Sequence, residues 1–179
     1  LTERGALAKD PDKTPSFINN KFAQLPSDFD TYLSANTHFA SHYNNLTTII
    51  NDGDNAVIVA SKIRSYLETN FVFGIDAMQD YPPEDNEDIV EWFCEHEEGV
   101  WSDFATTFCV FARSFNLSCR YIDGYNGIVG NDDAGYIMIP ESNIYNWAEI
   151  YVPTAEDGSG QWAQFDVCKY VGLSRDIDG

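Results

Sequence analysis

The spacing of hydrophobic and polar positions changes from a helical period to an alternating one near residue 118. Before that point, apolar residues recur every three to four positions, which predicts amphipathic helices. The predicted elements are short helices within residues 17–50 broken at Pro26, a helix over 56–69, an extended piece at 71–73, a helix over 86–96, and a central helix within 99–116. Beyond residue 118 the alternation predicts strands over 119–129, 136–139, 143–153 and 161–167.

These elements predict an α+β domain, because helices come first and an antiparallel sheet follows. The acidic, glycine-rich turn at 155–160 predicts that the last two strands form a hairpin. Residues 1–16 are polar, contain Pro11 and Pro15, and are interpreted as a tail or linker. Residues 17–179 are interpreted as a single domain.

The central helix is apolar most of the way round, which predicts that it lies in the core. Its large and small apolar positions are Phe104, Phe108, Phe111 and Phe115 on one flank and Ala105, Cys109 and Ala112 on the other. Ser102 is the predicted N-cap, with Asp103 placing negative charge at the positive end of the helix dipole. Trp101 is then expected just before the N-terminus of a buried helix. Many enzymes keep a cysteine nucleophile at that place, because the dipole favours the thiolate.

Composition and charge exclude several classes of protein. A hydrophobic content of 44% with 15% aromatic residues excludes a disordered chain. The net charge of −19 argues against binding to nucleic acid or anionic membranes. No apolar run has the length of a membrane span and no signal peptide is found. Because the chain starts at Leu1, we expect it to be a segment of a longer protein.

The sequence contains only weak indications of a metal site or a disulfide bond. Residues 65–112 contain twelve acidic residues and no Lys or Arg, which we interpret as a solvated acidic face. A calcium site is the alternative, but the acidic residues lack the regular spacing of a calcium-binding loop. His38 and His42 have an i, i+4 spacing without a third ligand, so no metal or other cofactor is predicted. Cys94, Cys109, Cys119 and Cys168 form no C-x-x-C pair and are predicted to be buried thiols, with one disulfide as the alternative in an oxidising compartment.

Several short motifs, in this order, resemble the transglutaminase-like family of the papain-type cysteine fold. The matching segments are residues 61–70, 99–105, 112–113, 116–120, 123–125, 145–149 and 165–168. The resemblance covers about residues 56–168, roughly two thirds of the chain. It implies N-terminal helices and a buried central helix packed on a C-terminal antiparallel sheet. Active members of the family use a cysteine, a histidine and an aspartate for acyl transfer.

At the positions that match this triad, the chain has Trp101, Tyr145 and Asp166. An indole has no nucleophilic lone pair, and a phenol with a pKa near 10 is a poor base at neutral pH. Loss of the nucleophile alone costs a triad enzyme on the order of a million-fold in turnover. The resemblance therefore implies a degenerate, catalytically inactive member without catalytic residues.

Three functions remain open from the sequence. In the first, Trp101, Ser102, Tyr145, Trp147 and Asp166 form an aromatic cleft that binds a peptide, a protein or a cell-wall glycan, or that Trp101 plugs. In the second, the domain is a structural or interaction module of a larger cell-surface protein, a location inferred from relatives of this kind. In the third, it is an active acyl transferase or hydrolase with substituted residues.

Overall fold

The computed structural model describes residues 14–74, 87–125, 135, 139, 144–155 and 157–168. The helices are α1 (Ser16–Phe22), α2 (Phe29–Ala35), α3 (Thr37–Ile49), α4 (Ala56–Asn70), α5 (Ile89–His96) and α6 (Trp101–Ser114). The strands are β1 (Val72–Phe73), β2 (Glu98–Gly99), β3 (Cys119–Tyr125), β4 (Ile144–Pro153) and β5 (Gly160–Phe165). The predicted α+β class, with helices before an antiparallel sheet, is confirmed.

Helix α6 forms the centre of the core. Phe104, Phe108 and Phe111 are at most 2% exposed, as their spacing predicts, and the small residue Ala105 on the other flank is fully buried. The helix contacts α4 and α5 as well as β3 and β4. It is therefore covered by helices and by the sheet, which explains why so little of its surface is polar.

The main sheet has the order β3-β4-β5 with both pairs antiparallel, and the predicted hairpin between β4 and β5 is confirmed. Along β4 the side chains alternate, so that Ala148 and Ile150 are buried on one face while Tyr145, Trp147 and Glu149 on the other are only half-buried. Phe108 of α6 stacks on Phe165 of β5, with ring centroids 5.7 Å apart. The sheet thus has an apolar face toward α6 and an aromatic, partly polar face away from it.

Aromatic rings connect the N-terminal helices to α6. Phe39 of α3 stacks on Phe111 with centroids 4.8 Å apart. Phe93 of α5 lies 4.9 Å from Phe104, and Phe71, just after α4, lies 4.7 Å from Phe93. The contact at Phe111 therefore fixes the C-terminal half of α6, and the contact at Phe104 fixes its N-terminal half, where the candidate site lies.

Two predicted helix starts are wrong by two or three residues. The helix predicted over 86–96 begins at Ile89, because the Asp88 carboxylate accepts hydrogen bonds from the amides of Val90 and Glu91. Helix α6 begins at Trp101 with Val100 as its N-cap, so Ser102 is not the cap. The Asp103 side chain instead accepts a hydrogen bond from the Val100 amide at 2.8 Å.

The small parallel pair of β1 and β2 is not predicted by the sequence pattern, which gives only an extended piece at 71–73. Val72 pairs with Glu98 and Phe73 with Gly99. The part of the predicted strand 119–129 beyond Tyr125 lies outside the described residues, as does the strand predicted at 136–139 except for the single residue Ile139. Most of the predicted tail, residues 1–13, also lies outside them, and α1 begins at Ser16.

Candidate functional site

Trp101, the first residue of α6, is half-buried between β1 and β4. Its ring centroid lies 4.7 Å from that of Phe73 in β1. On the other side it meets Tyr145 of β4 edge-on, with centroids 6.1 Å apart and an interplanar angle of 62°. The indole therefore fills the space between the helix N-terminus and the sheet.

Tyr145 donates a hydrogen bond from its hydroxyl to Oδ1 of Asp166, which follows β5. Burial raises the pKa of Tyr145 above its usual range, and the hydrogen bond and negative charge of Asp166 raise it further. The phenol consequently stays protonated at neutral pH. Trp101, Tyr145 and Asp166, which are distant in sequence, thus come together through the start of a helix, the middle strand and the end of β5.

Trp147 extends this aromatic group along the outer face of the sheet. Its ring lies nearly parallel to that of Tyr145, with centroids 6.5 Å apart, and its Nε1 donates to Oε1 of Glu149 at 3.2 Å. A Cβ atom on Gly124 of β3 would lie 2.4 Å from Cη2 of Trp147. Glycine at this position therefore allows the close approach of the Trp147 ring to β3.

Glu149 in turn anchors a second group of side chains. Nε and Nη2 of Arg120 donate to its Oε2 at 2.8 and 2.5 Å. The Arg120 guanidinium also lies 4.1 Å from the ring centroid of Trp162. The outer face of the sheet therefore presents an aromatic strip, Tyr145, Trp147 and Trp162, interleaved with charged side chains.

The backbone before α6 is closely packed around Gly99. A Cβ atom there would lie 2.6 Å from the Asp103 carboxylate and 2.7 Å from the ring of Phe93. Asp103 is 1% exposed, and its carboxyl group lies at the positive, N-terminal end of the helix. Ser102 lies in the first turn, half-buried beside Trp101.

Each of the three histidines is engaged away from this site. His38 contacts Glu91, with Nδ1 and Oε1 3.0 Å apart. His42 is buried between the hydroxyl of Tyr66 and the carbonyl of Cys94, and His96 bonds to the carbonyl of Trp92 in its own helix. In the described part of the chain, none of these hydrogen bonds joins a histidine to Tyr145 or Asp166.

Two nearby residues were not predicted as part of the site. Phe73 packs on Trp101, a contact between residues far apart in sequence, and no local pattern could indicate it. Cys168 lies two residues beyond Asp166 and is 3% exposed. Burial and the carboxylates of Asp166 and Asp103 raise the pKa of its thiol to about 12, so it is not a thiolate at neutral pH.

Among the described residues, no group of three or more His, Cys, Asp and Glu side chains is placed to hold a metal ion. Within the same ranges, no helix is both long and apolar enough to span a membrane. The side chains that the site brings together are the Trp101 indole, the Tyr145 phenol and the Asp166 carboxylate.

In this fold, the N-terminus of a buried helix meets the middle strand of an antiparallel sheet. A family model of the transglutaminase-like superfamily matches residues 45–167, and the chain belongs to this superfamily. The comparison with curated proteins gives no significant match.

Two solved structures have the same fold. Both are of the periplasmic domain of TgpA from Pseudomonas aeruginosa, the second bound to ethylmercury. The first is 16% identical and covers 85% of this chain and 47% of its own, with a TM-score of 0.61. The second is 16% identical and covers 84% and 49%, with a TM-score of 0.57. The chain thus spans about half the length of the solved chains it matches.

Proposed function

We propose that this transglutaminase-like domain is catalytically inactive and serves as a binding module of a larger extracytoplasmic protein. The single observation that carries the proposal is the hydrogen bond from Tyr145 to Asp166 beside Trp101. Acyl transfer by a triad needs a nucleophile, and a base that can take its proton. An indole occupies the first position, and the phenol at the second already commits its hydroxyl to the carboxylate.

The aromatic strip supports binding as the retained role. Trp147 is half-buried rather than fully buried, and Asp166 is exposed beside Tyr145. Aromatic faces next to carboxylates favour cationic groups and the apolar faces of sugars. We therefore propose basic peptides or cell-wall glycans as ligands. Trp101 both packs on Phe73 and forms one edge of the proposed binding surface.

The proposed location rests on fold similarity to a periplasmic domain, that of TgpA. An extracytoplasmic domain would be exposed to peptides and cell-wall glycans. Expression of the full-length protein as a fusion to a reporter that is active only outside the cytoplasm tests this location. Reporter activity confined to the cytoplasm would contradict it.

Assays of amine incorporation and of peptide hydrolysis test inactivity. We expect the wild-type domain to give no turnover above the Trp101→Ala variant, since neither protein has a nucleophile at this position. Turnover by the wild type that Trp101→Ala removes would overturn the proposal and would favour the alternative of an active transferase or hydrolase.

The assignment of Trp101 and Tyr145 to the nucleophile and base positions can be tested by thiol reactivity. In a Trp101→Cys/Tyr145→His variant, we expect the pH midpoint of iodoacetamide alkylation to be lower by about one to two units than in Trp101→Cys/Tyr145→Phe, because an imidazolium stabilises a thiolate. The four native cysteines are buried and serve as the unreactive background. Equal midpoints in the two variants would show that the positions do not face each other.

Binding is tested by titrating the domain with a lysine-rich peptide, a neutral peptide of equal length and a cell-wall glycan fragment, with tryptophan fluorescence as the signal. We expect Trp101→Ala to abolish the ligand-induced change and Trp147→Ala to weaken it. Trp92→Phe, in a tryptophan that stacks on His96 in α5, is the matched control and should leave it intact. A change that persists in Trp101→Ala would place the ligand elsewhere.

A further inference from the structure

Two of the four buried cysteines have their sulfur atoms in contact. Cys109 lies in the middle of α6 and Cys119 is the first residue of β3, and their Sγ atoms are 3.3 Å apart. Both side chains are almost completely buried, at 4% and 0% exposure. Cys94 and Cys168 are buried in other places, in α5 and after β5.

The backbone holds these two cysteines together without help from the sulfur atoms. Nε and Nη2 of Arg113, near the end of α6, donate to the carbonyl of Cys119 at 3.2 and 2.9 Å. The turn between them is closed by a 2.9 Å hydrogen bond from the Leu117 amide to the Ala112 carbonyl, with Asn116 in the left-handed conformation at φ 60°. The end of the helix and the start of the strand are therefore fixed relative to each other.

We propose that Cys109 and Cys119 form a disulfide bond that ties α6 to β3 when the chain folds in the presence of a disulfide oxidant. A disulfide has an S–S length of about 2.05 Å, so side-chain rotation must bring the sulfur atoms closer by roughly 1.2 Å. The proposed extracytoplasmic location would supply such an oxidant. The inference itself needs only the oxidant, and it does not depend on whether the domain is active.

The reaction is an ordinary thiol–disulfide exchange with, for example, oxidised glutathione. One cysteine thiolate attacks a glutathione sulfur, forms a mixed disulfide and releases one glutathione thiolate. The second cysteine thiolate attacks the protein sulfur of the mixed disulfide and releases the other. Two electrons pass from the two cysteines to glutathione, and the two protons that the cysteines lose end on the two reduced glutathione molecules.

The oxidation is expected during folding rather than afterwards. In the folded domain both thiols are shielded from solvent, and burial, with the adjacent Cys109, raises the pKa of Cys119 well above its usual range. Thiolates are the reacting species, so the folded reduced pair should exchange slowly. Once formed, the bond should be equally protected from reductants until the domain unfolds.

Peptide mapping of the Cys94→Ala variant tests the pairing. The variant is refolded with a mixture of reduced and oxidised glutathione, its remaining thiols are alkylated in denaturant, and it is digested with trypsin. Cleavage after Arg64, Arg113 and Arg120 places Cys109 in peptide 65–113 and Cys119 in peptide 114–120. We expect these two peptides to be joined and to separate on reduction, with Cys168 alkylated. Alkylation of all three cysteines, or a bond from Cys119 to Cys168, would overturn the proposal.

Thermal unfolding provides a second readout in the wild-type chain. Closing a loop of about eleven residues should raise the Tm of the oxidised form by roughly 5–10 °C over the reduced form. The Cys109→Ala variant should have the same Tm with and without reductant. If the oxidised and reduced wild type unfold at the same temperature and the map lacks the joined peptides, the two cysteines are independent thiols. If Cys109→Ala does not fold, the map of Cys94→Ala still decides the pairing.

Discussion

In the proposed assignment, Tyr145 is a phenol at the position where a triad needs an imidazole. The two groups differ in the number of atoms that can donate or accept a proton. An imidazole can donate from one nitrogen to a carboxylate while its other nitrogen accepts a proton from a nucleophile. A phenol has one oxygen, and in this domain its proton is directed at Asp166. In the same assignment, the Asp166 carboxylate, which would orient a base in an enzyme, accepts the hydrogen bond of the phenol.

Alkaline titration should reveal this interaction at Tyr145. Because its pKa is raised from 10.0 in the folded state, the free energy of unfolding should be unaffected below about pH 9 and should fall as pH rises above about 10, where the unfolded phenol ionises and the folded one does not. The Tyr145→Phe variant should show a shallower fall. The measurement is urea unfolding at several pH values.

Tyr32 and Tyr66 also have raised pKa values and contribute equally to both proteins. The difference between wild type and Tyr145→Phe therefore isolates Tyr145. Identical slopes above pH 10 would show that Tyr145 is not held as a protonated phenol.

At Gly124, the absence of a Cβ atom leaves space for the ring of Trp147. A Gly124→Ala substitution places a methyl group on the ring of Trp147, so we expect destabilisation by about 1–3 kcal/mol together with a change in tryptophan fluorescence. Gly53→Ala is the matched control, because a Cβ there has no neighbour within 4 Å, and it should change stability by less than about 0.5 kcal/mol. Equal effects of the two substitutions would mean that the ring does not depend on Gly124.

Among the elements, α6 depends most on how its first turn is capped. Its N-cap residue, Val100, has no side-chain acceptor. The buried carboxylate of Asp103, the third residue of the helix, instead accepts a hydrogen bond from the Val100 amide. The same carboxylate lies over Gly99 and leaves no space for a side chain there. The entry into the helix and the position of Trp101 are thus set by one acidic residue and one glycine.

An Asp103→Ala substitution should reduce the free energy of unfolding by about 1–3 kcal/mol, because the Val100 amide loses its acceptor and the helix dipole loses its negative partner. Asp103→Asn keeps an acceptor without the charge and should have an intermediate effect. Asp28, which caps α2 from the surface, is the control, and Asp28→Ala should cost less. Urea unfolding measures all three. A loss at Asp28 as large as at Asp103 would contradict the special role of the buried cap.

The elements that the sequence predicted well are those with a clear period. The spacing of Phe104, Phe108 and Phe111 gave α6, and alternation gave the β4–β5 hairpin. The start of α6 could not be predicted to the residue, because its N-cap, Val100, is not a typical capping residue. The carboxylate that accepts the Val100 amide belongs to the third helical residue, Asp103. The β1–β2 pair could not be predicted at all, since two residues carry no period.

For the site, positions 101, 145 and 166 were predicted from the order of the family motifs, and this assignment stays a prediction. The side-chain chemistry of these residues by itself indicates none of them as catalytic. The hydrogen bond between Tyr145 and Asp166 and the packing of Phe73 on Trp101 depend on chain segments that are distant in sequence. Such contacts follow from the tertiary fold and leave no local signal.

The molecule as a whole carries a large net negative charge. Ten basic against 29 acidic residues give a net charge of −19, and like charges repel one another in the compact state. We expect the Tm to rise as sodium chloride increases from about 10 to 200 mM, because the Debye length falls from about 30 Å to less than 10 Å over this range.

The same measurement in sucrose at low salt is the control, because sucrose stabilises through exclusion rather than screening. A Tm that does not respond to salt would indicate that the acidic side chains are far enough apart to be independent.

The parallel pair of β1 and β2 has only two residues in each strand, so it should open more easily than the main sheet. Its hydrogen bonds include Val72 amide to Glu97 carbonyl at 2.8 Å and Gly74 amide to Gly99 carbonyl at 3.1 Å. Phe73, whose ring packs on Trp101, lies between these two hydrogen bonds. We expect the Val72 and Gly74 amides to exchange with deuterium well before those of β4, because breaking a few hydrogen bonds costs less than global unfolding. Such a local opening would expose the side of the Trp101 indole that packs on Phe73, while the main sheet stays intact.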